Sequence, residues 1–301
     1  METTELTISS FAGAREVAVI PAQASSDEQI IDMWLHGRSL QTQRAYAREV
    51  RGFLGYVGVG LRSVSLGMLQ GWADNPDLAS LAPASRARAI AAVKSVFAFG
   101  HRLGYLPFDV AAPLRSPKLK DTLSERILTE ADVQRMLALE TNKRNAVLLR
   151  LLYAAGLRVS EACGLSWRDC SERSDGQGQV TAYGKGEKTR AILLPATMWA
   201  ALMSIKPVGA SPDAPVFPSR KGGAAMSDVQ IRRIVLAAAQ RAGIELHVSP
   251  HWMRHAHASH SIDRGAPISL VQATLGHSSV ATTGRYLHAR PSDSSARFLA
   301  V

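Results

Sequence analysis

Residues 250–288 read PHWMRHAHASHSIDRGAPISLVQATLGHSSVATTGRYLH, a tract in which two imidazoles, a guanidinium and a phenol stand out. A helix that begins after the opening proline places His251 and Arg254 on one face, because side chains three residues apart are neighbours on a helix. The glycine before His277 predicts a helix end, from which this imidazole can turn back toward the pair. Tyr286 adds an oxygen nucleophile. These residue types predict a site that handles an anion.

Phosphate is the anion that this set of groups fits. Arg254 keeps its proton, and its planar fork matches two phosphate oxygens. His251 can donate a hydrogen bond and can also carry a proton. A free phenol, with a pKa of about 10, becomes a useful nucleophile only where cations or a base favour the phenolate. A histidine three residues before an arginine is, taken alone, more often a solvated polar face, and only the spacing of the whole set favours a function.

The spacing of the set and its neighbouring residues resemble the signature of the tyrosine recombinase family. Three short motifs carry the resemblance. The first is P-H-x-L-R-H, matched by Pro250, His251, Arg254 and His255; the second is L-G-H-x at residues 275–278; and the third is R-Y-x-H, matched by Arg285, Tyr286 and His288. The resemblance covers nearly everything from about Asp27 to the last residue. It therefore implies the fold and the chemistry of that family.

Two further motifs in the middle of the chain resemble the same family. The segment GLRVSEACGL is similar to its first catalytic-arginine motif, with Glu161 in the place of the acidic residue that steadies Arg158. The segment GKGEKTR is similar to its hairpin motif, with Lys185 as the catalytic lysine. Taken alone, an arginine between two helices is usually a surface residue, and a turn lysine is usually solvated. A nucleotide-binding loop is excluded, because the glycine spacing and the residue after Lys185 both fail its pattern.

The resemblance implies transesterification at a DNA phosphodiester with no nucleotide, metal or other cofactor. Tyr286 would attack the phosphorus and give a 3′-phosphotyrosyl link and a free 5′-hydroxyl. Five groups would assist it, with Arg158 and Arg254 on the non-bridging oxygens, Lys185 as general acid, His251 in proton transfer and His277 on a phosphate oxygen. Two other functions stay open, which are DNA relaxation of the type IB topoisomerase kind and DNA binding without catalysis.

The composition indicates a folded protein with a polyanionic partner. Of the 301 residues 46% are hydrophobic and 20% are charged, which is ordinary for a folded chain, while the net charge is +10 and the pI about 10.0. Such an excess favours nucleic acid over a membrane surface, because no signal peptide, lipidation motif or membrane-spanning run is present. We therefore expect double-stranded DNA as the partner, no membrane, and a cytoplasmic, nucleoid-associated protein.

The cysteines and histidines do not form a metal-binding pattern. Cys163 and Cys170 are seven residues apart, which suits neither a zinc knuckle nor a disulfide framework. His251 and His255 have the spacing of a zinc protease motif, but Trp252 stands where that motif needs a glutamate. We therefore expect no metal site.

The apolar periodicity predicts a mainly α-helical chain with a small β-sheet, in two domains. The predicted parts are a flexible tail at 1–26, a helical domain at 27–112, a linker at 113–124 and an α+β catalytic domain at 125–301. The first three helices are expected to begin at Ser26 or Asp27, at Ser39 and at Ser65, and Ser85 is expected to cap the fourth. The nearly all-apolar helix at 144–155 is expected to lie at the centre of the catalytic domain. The opening S-L-Q-T-Q-R-A-Y of the helical part resembles the family's SAM-like core-binding domain. The last residues would, by the same resemblance, dock into a neighbouring subunit.

Basic side chains on the second and fourth helices of the first domain are the candidate DNA contacts. They are Arg44, Arg48, Arg86, Arg88 and Lys94. The resemblance further implies a homo-tetramer on a specific recombination site, or a hetero-tetramer with a paralogue, that exchanges strands through a Holliday junction.

Overall fold

The computed structural model describes residues 23–120, 122–173, 175–184, 189–220 and 222–289, with residues 287–289 as backbone alone. The chain divides into two compact units between Lys120 and Asp121, inside the stretch where a linker is predicted. The predicted subunit-docking tail after Ala289 lies outside the described residues.

The first unit is helical. Its helices are α1 Asp27–Leu35, α2 Leu40–Val57, α3 Leu66–Ala73, α4 Pro76–Ala79 and α5 Pro83–Arg102. The hydroxyls of Ser26, Ser39 and Ser65 accept hydrogen bonds from backbone N–H groups in the first turns of α1, α2 and α3, as their positions predict. The predicted cap at Ser85 is wrong, because α5 begins two residues earlier at Pro83, whose fixed φ suits a first helical position.

Aromatic packing and one carboxylate organise this unit. The Phe53 ring of α2 lies edge-on to Trp72 and Phe97, with ring centroids 5.0 and 6.0 Å apart. Asp27 at the start of α1 accepts hydrogen bonds from the Leu61 N–H at 2.8 Å and the Tyr105 hydroxyl at 2.7 Å. These contacts join the beginning, middle and end of the unit into one core.

The second unit combines eight described helices with a small sheet. The helices are α6 Glu130–Ala138, α7 Lys143–Ala154, α8 Val159–Gly164, α9 Ala196–Met203, α10 Asp228–Arg241, α11 Pro250–Asp263, α12 Ile268–Leu275 and α13 Val280–Ala289. The strands β1 Cys170–Glu172, β2 Gly178–Tyr183 and β3 Thr189–Leu194 form an antiparallel sheet in that order. The predicted hairpin is confirmed, and β1 is an additional strand.

Helix α7 forms the centre of this unit, as its apolar sequence predicts. Leu148, Leu149, Leu151 and Leu152 point in different directions around the helix, and all four are fully buried. Neighbouring elements therefore cover α7 on most sides. Across the sheet, a Cβ on Gly178 would lie 2.0 Å from the Trp199 ring, so only glycine lets α9 pack on β2. The sheet is thereby held against the helical core.

No helix among the described residues is both long and apolar enough to span a lipid bilayer.

Candidate active site

Arg254 of α11 is the buried centre of the site. Its side chain donates 2.6 Å hydrogen bonds to the carbonyls of Gly156, in the turn after α7, and of Leu275, the last residue of α12. Only 4% of Arg254 is exposed. Burial, followed by the charge of Arg158, lowers its pKa to about 10, so that the guanidinium stays protonated at neutral pH. The two carbonyls therefore fix a charged group in one orientation.

The turn at Gly156 has room for no other residue. Its φ of 56° lies in the left-handed region. An added Cβ would lie 2.7 Å from Leu275 and 2.9 Å from His257. This close approach of α11 and α12 to the end of α7 is what brings the Gly156 carbonyl to Arg254.

Arg158 follows that turn and caps α8. Its backbone N–H donates to Glu161 Oε2 at 2.7 Å, and its Nη1 donates to Glu161 Oε1 at 2.9 Å. Its Nη2 also donates to the Gly276 carbonyl at 3.3 Å. Because the guanidinium sits at a helix amino terminus, it shares its position with backbone N–H groups that favour an anion. The sequence prediction that Glu161 steadies Arg158 agrees with this geometry.

Glu161 is buried and serves a second arginine that the sequence did not single out. Arg190 of β3 donates to both Glu161 oxygens at 2.8 Å, and its Nε donates to the Thr274 carbonyl at 2.6 Å. Burial raises the pKa of the Glu161 carboxyl, but the hydrogen bonds from Arg190 and Arg158 outweigh it and hold the pKa at about 2. The sequence feature that could have identified Arg190 is its place as the last residue of the GKGEKTR motif.

His277 lies at the turn after α12. Gly276 ends the helix with a φ of 64°, as predicted, and His277 Nδ1 lies 2.8 Å from the Thr283 hydroxyl of α13. Burial and the charges of Arg254, Arg158 and Arg190 lower the pKa of His277 to about 4. The imidazole is therefore neutral at neutral pH, and its ring is oriented by a second side chain.

Two further predicted catalytic residues, His251 and Tyr286, differ in how exposed they are to solvent. His251 is exposed at the start of α11, but neighbouring atoms remove part of the water around its ring. This desolvation, followed by the charges of Arg232 and Arg254, lowers its pKa. Tyr286 of α13 is 5% exposed, and its hydroxyl lies 2.7 Å from His255 Nδ1. Burial raises the pKa of the phenol, while Arg254 and Arg285 oppose that rise.

A cationic pocket of about 530 Å³ opens between Arg158 and His277. Arg158, Arg190, His277 and the backbone of Gly276 line it, together with Gly184 at the end of the described part of the hairpin. The predicted general acid Lys185, which follows Gly184, lies outside the described residues. The structure thus brings Arg158, Arg254 and His277 to one cluster and leaves Lys185 unplaced.

The remaining histidines of α11 hold the fold together. His257 Nδ1 lies 2.8 Å from the Tyr153 carbonyl, and His260 bridges the Tyr153 hydroxyl at 2.9 Å and the Leu128 carbonyl at 3.0 Å. In the part of the chain that the structure describes, no three histidine, cysteine or acidic side chains are grouped as metal ligands.

The candidate DNA contacts of the first unit fall into two groups. Arg44 is exposed, and Arg48 and Arg88 are exposed while each pairs with Glu49. Arg86 instead donates to the Ala73 carbonyl at 2.9 Å, and Lys94 donates to the carbonyls of Ala112 and Leu114. The last two side chains therefore serve the fold of their own unit.

Two family models match the chain. The model described as the phage integrase family matches residues 126–293, and the model of the phage integrase N-terminal SAM-like domain matches residues 32–104. These two matches cover a helical part and a catalytic part in the order that the sequence predicts.

Named relatives match most of the chain. A tyrosine recombinase XerC of Xanthomonas campestris is 34% identical over 260 residues, which cover 83% of this chain and 79% of the relative. A tyrosine recombinase XerC of Mycobacterium bovis is 31% identical over 271 residues, which cover 84% of this chain and 89% of the relative.

Solved structures share the fold. XerH site-specific recombinase bound to difH substrate has a TM-score of 0.66 at 21% identity, covering 88% of this chain and 82% of that one. A lambda integrase dimer bound to a COC′ core site has a TM-score of 0.66 at 18% identity, covering 90% of this chain and 79% of that one. At these identities the likeness concerns the fold alone.

Proposed function

The chain belongs to the phage integrase family of tyrosine recombinases, and from this premise we propose that it recombines DNA at a specific site through a 3′-phosphotyrosyl intermediate. The observation that carries the proposal is that Arg158 and His277 line one cationic pocket, while the charges of buried Arg254 and of Tyr286 lie close enough to shift the pKa values of this cluster. Fixed cations stabilise the charge that grows on the phosphate oxygens in the transition state. The relatives above are recombinases and integrases, which favours strand exchange over topoisomerase action.

We assign one role to each catalytic residue. Tyr286 attacks the phosphorus, and Arg158 and Arg254 bind the non-bridging oxygens. The departing 5′-oxygen takes a proton, so that a free 5′-hydroxyl remains. Three groups support these steps, with Lys185 as the general acid, His251 in proton transfer and His277 as a hydrogen-bond donor to a phosphate oxygen. Glu161 holds Arg158 in place, and no cofactor is consumed because the phosphotyrosyl link keeps the bond energy.

The partner and the assembly follow from the same chemistry. XerH is described with its difH DNA, and the net charge of +10 suits a polyanionic partner here too. In our proposal the parts 27–112 and 125–301 both contact the duplex and are joined by the linker 113–124. Four copies exchange strands in pairs through a Holliday junction, and each carboxy-terminal tail docks into a neighbour. A paralogue could supply two of the four, and the place of action is the cytoplasm at the nucleoid.

A single substitution tests the proposal. Tyr286→Phe removes the attacking oxygen, so this variant should still shift a cognate duplex in a gel but form no SDS-resistant DNA adduct. Tyr56→Phe is a matched control, because Tyr56 is an exposed tyrosine of the first unit and should leave the adduct unchanged. An undiminished adduct in Tyr286→Phe would refute the assignment. Recombinant products from two defined sites would then separate a recombinase from a topoisomerase.

A further inference from the structure

One histidine outside the proposed catalytic six contacts the nucleophile. His255 lies one helical turn after His251 on α11, and its Nδ1 lies 2.7 Å from the Tyr286 hydroxyl oxygen. The two rings are 5.8 Å apart between centroids. At this distance a proton can pass directly between the phenol and the imidazole, because general acid–base catalysis operates within hydrogen-bond reach.

The other candidate proton acceptors make no hydrogen bond to the Tyr286 hydroxyl among the described residues. The His251 ring lies against that of His255, with 6.4 Å between ring centroids, and not against the phenol oxygen. Both oxygens of Glu161 accept hydrogen bonds from arginines, and His277 Nδ1 faces the Thr283 hydroxyl. Arg254 is protonated and cannot accept a proton. A buried phenol that must lose its proton during attack needs an acceptor, and His255 is in position to be one.

We propose that His255 is the general base that takes the proton of Tyr286 during DNA cleavage. This inference rests on the proposed function and adds a catalytic residue to it. His255 touches the reacting oxygen itself, so its role is chemical rather than only positional.

The step balances in atoms and charge. As the Tyr286 oxygen forms its bond to phosphorus, its proton moves to His255 Nδ1, which becomes an imidazolium. The bond from phosphorus to the 5′-oxygen breaks, and that oxygen takes a proton from the general acid. On rejoining, the 5′-hydroxyl attacks the phosphorus and returns its proton to the group that acted as general acid. The phosphotyrosyl bond breaks, and the imidazolium returns its proton to the tyrosine oxygen. Nothing is oxidised or reduced, and His255 ends each cycle neutral.

The surroundings of His255 keep it able to accept a proton. Burial, then His251 and Arg254 on its own helix, lower its pKa to about 4. Arg126 and Arg285 act in the same direction from the neighbouring elements. The ring is therefore neutral at neutral pH in the free protein. A phosphodiester that binds among these cations offsets their charge, which raises the basicity of His255 when the substrate is present.

Substitutions by glutamine and by glutamate at position 255 test whether His255 accepts a proton or only fills space beside Tyr286. Both fit the same space, but only the carboxylate of His255→Glu can take up a proton. We expect His255→Gln to slow single-turnover cleavage of a nicked suicide duplex roughly 100-fold, the size of effect that general bases contribute. His255→Glu should be at least about tenfold faster than His255→Gln. Equal rates for the wild type and His255→Gln, or for the two variants, would overturn the proposal.

The pH profile supplies a readout that a structural role would not move. Above the pKa that His255 has in the DNA complex, the wild-type cleavage rate should change little with pH, because the base is already neutral. Without the base, cleavage must wait for phenolate, so the rate of His255→Gln should rise by about one log unit per pH unit. A parallel profile in both proteins contradicts the inference. His247→Gln, at an exposed histidine of the same unit, is the control and should match the wild type.

A substrate with sulfur in place of the bridging 5′-oxygen separates the base from the acid. A thiolate leaves without protonation, so this substrate should restore cleavage in a Lys185→Ala variant but leave His255→Gln slow. Restoration of His255→Gln to the wild-type rate would place His255 on the leaving-group side and overturn the proposal. If the wild type itself forms no adduct with either substrate, the proposed function fails. If it does, and His255→Gln equals it, only this inference fails.

Discussion

Two pairs of arginines, one pair in each unit, carry positive charge in opposite ways. In the first unit the side chain of Arg48 is 71% exposed and that of Arg88 is 44% exposed. In the second unit Arg254 is 4% exposed and the side chain of Arg190 is 10% exposed. The first pair meets solvent and one shared carboxylate, whereas the second pair is held by backbone carbonyls and Glu161.

The difference teaches what each kind of cation can do. An exposed arginine keeps its hydration, is screened by salt and can exchange with its neighbours, so it contributes affinity. A buried arginine loses its hydration and must be compensated by hydrogen bonds in fixed directions. It therefore contributes geometry, which is what a transition state requires. The predictions below test this division from the largest expected effect to the smallest.

Removing Arg254 should have the largest effect on cleavage. Arg254→Ala deletes a fixed donor to the phosphate and should lower the rate of adduct formation about 1,000-fold, with DNA binding reduced much less. Single-turnover cleavage at saturating protein measures this. Arg254→Lys keeps the charge but loses the fork that grips Gly156 and Leu275, and should restore only a minor part of the rate. Full activity of the lysine variant would show that charge alone suffices.

The buried cluster should also make the second unit sensitive to acid. The pKa of Glu161 is held at about 2 against an ordinary 4.5, so the carboxylate stabilises the fold above pH 4.5 and that stability is lost as pH falls toward 2. The loss amounts to about 3 kcal/mol. The pKa values of His255 and His277 are lowered to about 4, so stability also falls between pH 6.5 and 4 as the unfolded chain protonates first.

Calorimetry of the full chain measures this dependence. Glu161→Gln should flatten the part of the curve below pH 4.5. In the first unit the shift lies at alkaline pH, because burial and Asp27 raise the pKa of Tyr105 to about 12. Its stability should instead fall as pH rises above about 10, where the unfolded tyrosine ionises first. An unfolding temperature that does not change with pH in either range would contradict the stabilising roles given to Glu161 and Tyr105.

Arg190 tests whether a residue that only positions others matters to the rate. Arg190→Ala frees Glu161 and the Thr274 carbonyl, so Arg158 and His277 lose their fixed separation. A misplacement of about 1 Å costs roughly 100-fold in rate. We expect a loss of that size in the rate at saturating protein, with little change in the protein concentration needed for half-maximal cleavage. Arg190→Lys should recover part of it, and a variant that loses only DNA affinity would argue against this role.

Removing exposed arginines of the first unit should have the smallest effect, and it should change DNA binding and not the cleavage rate. Replacing Arg44 and Arg48 by glutamine should weaken DNA binding roughly tenfold and reduce the salt dependence of binding by about one to two phosphate contacts. The cleavage rate of the saturated complex should stay the same. Arg86→Gln is the control, since Arg86 bonds the Ala73 carbonyl and its loss should lower stability without changing the salt dependence. A changed cleavage rate in the first variant would break the comparison.

Much of this protein could be predicted locally. Apolar periodicity and serine caps located most helices of the first unit, and the leucine-rich α7 was correctly predicted to be central. The start of α5 was misjudged because Ser85 has a cap's side chain while Pro83 has the better backbone. The motif around Arg158 and Glu161 was recognisable because a capping interaction joins residues three positions apart.

The sequence by itself determined the class of fold, the chemical groups available and their resemblance to one family, because each of these depends on short runs of residues. The tertiary structure alone decided that Arg190 shares Glu161 with Arg158, and that His255 rather than His251 contacts Tyr286. The hydrogen bond from Arg254 to Gly156 joins residues 98 positions apart, and that from Arg190 to Thr274 joins residues 84 apart. Periodicity specifies which face of a helix is buried, but the pairing of distant faces depends on how the whole core packs.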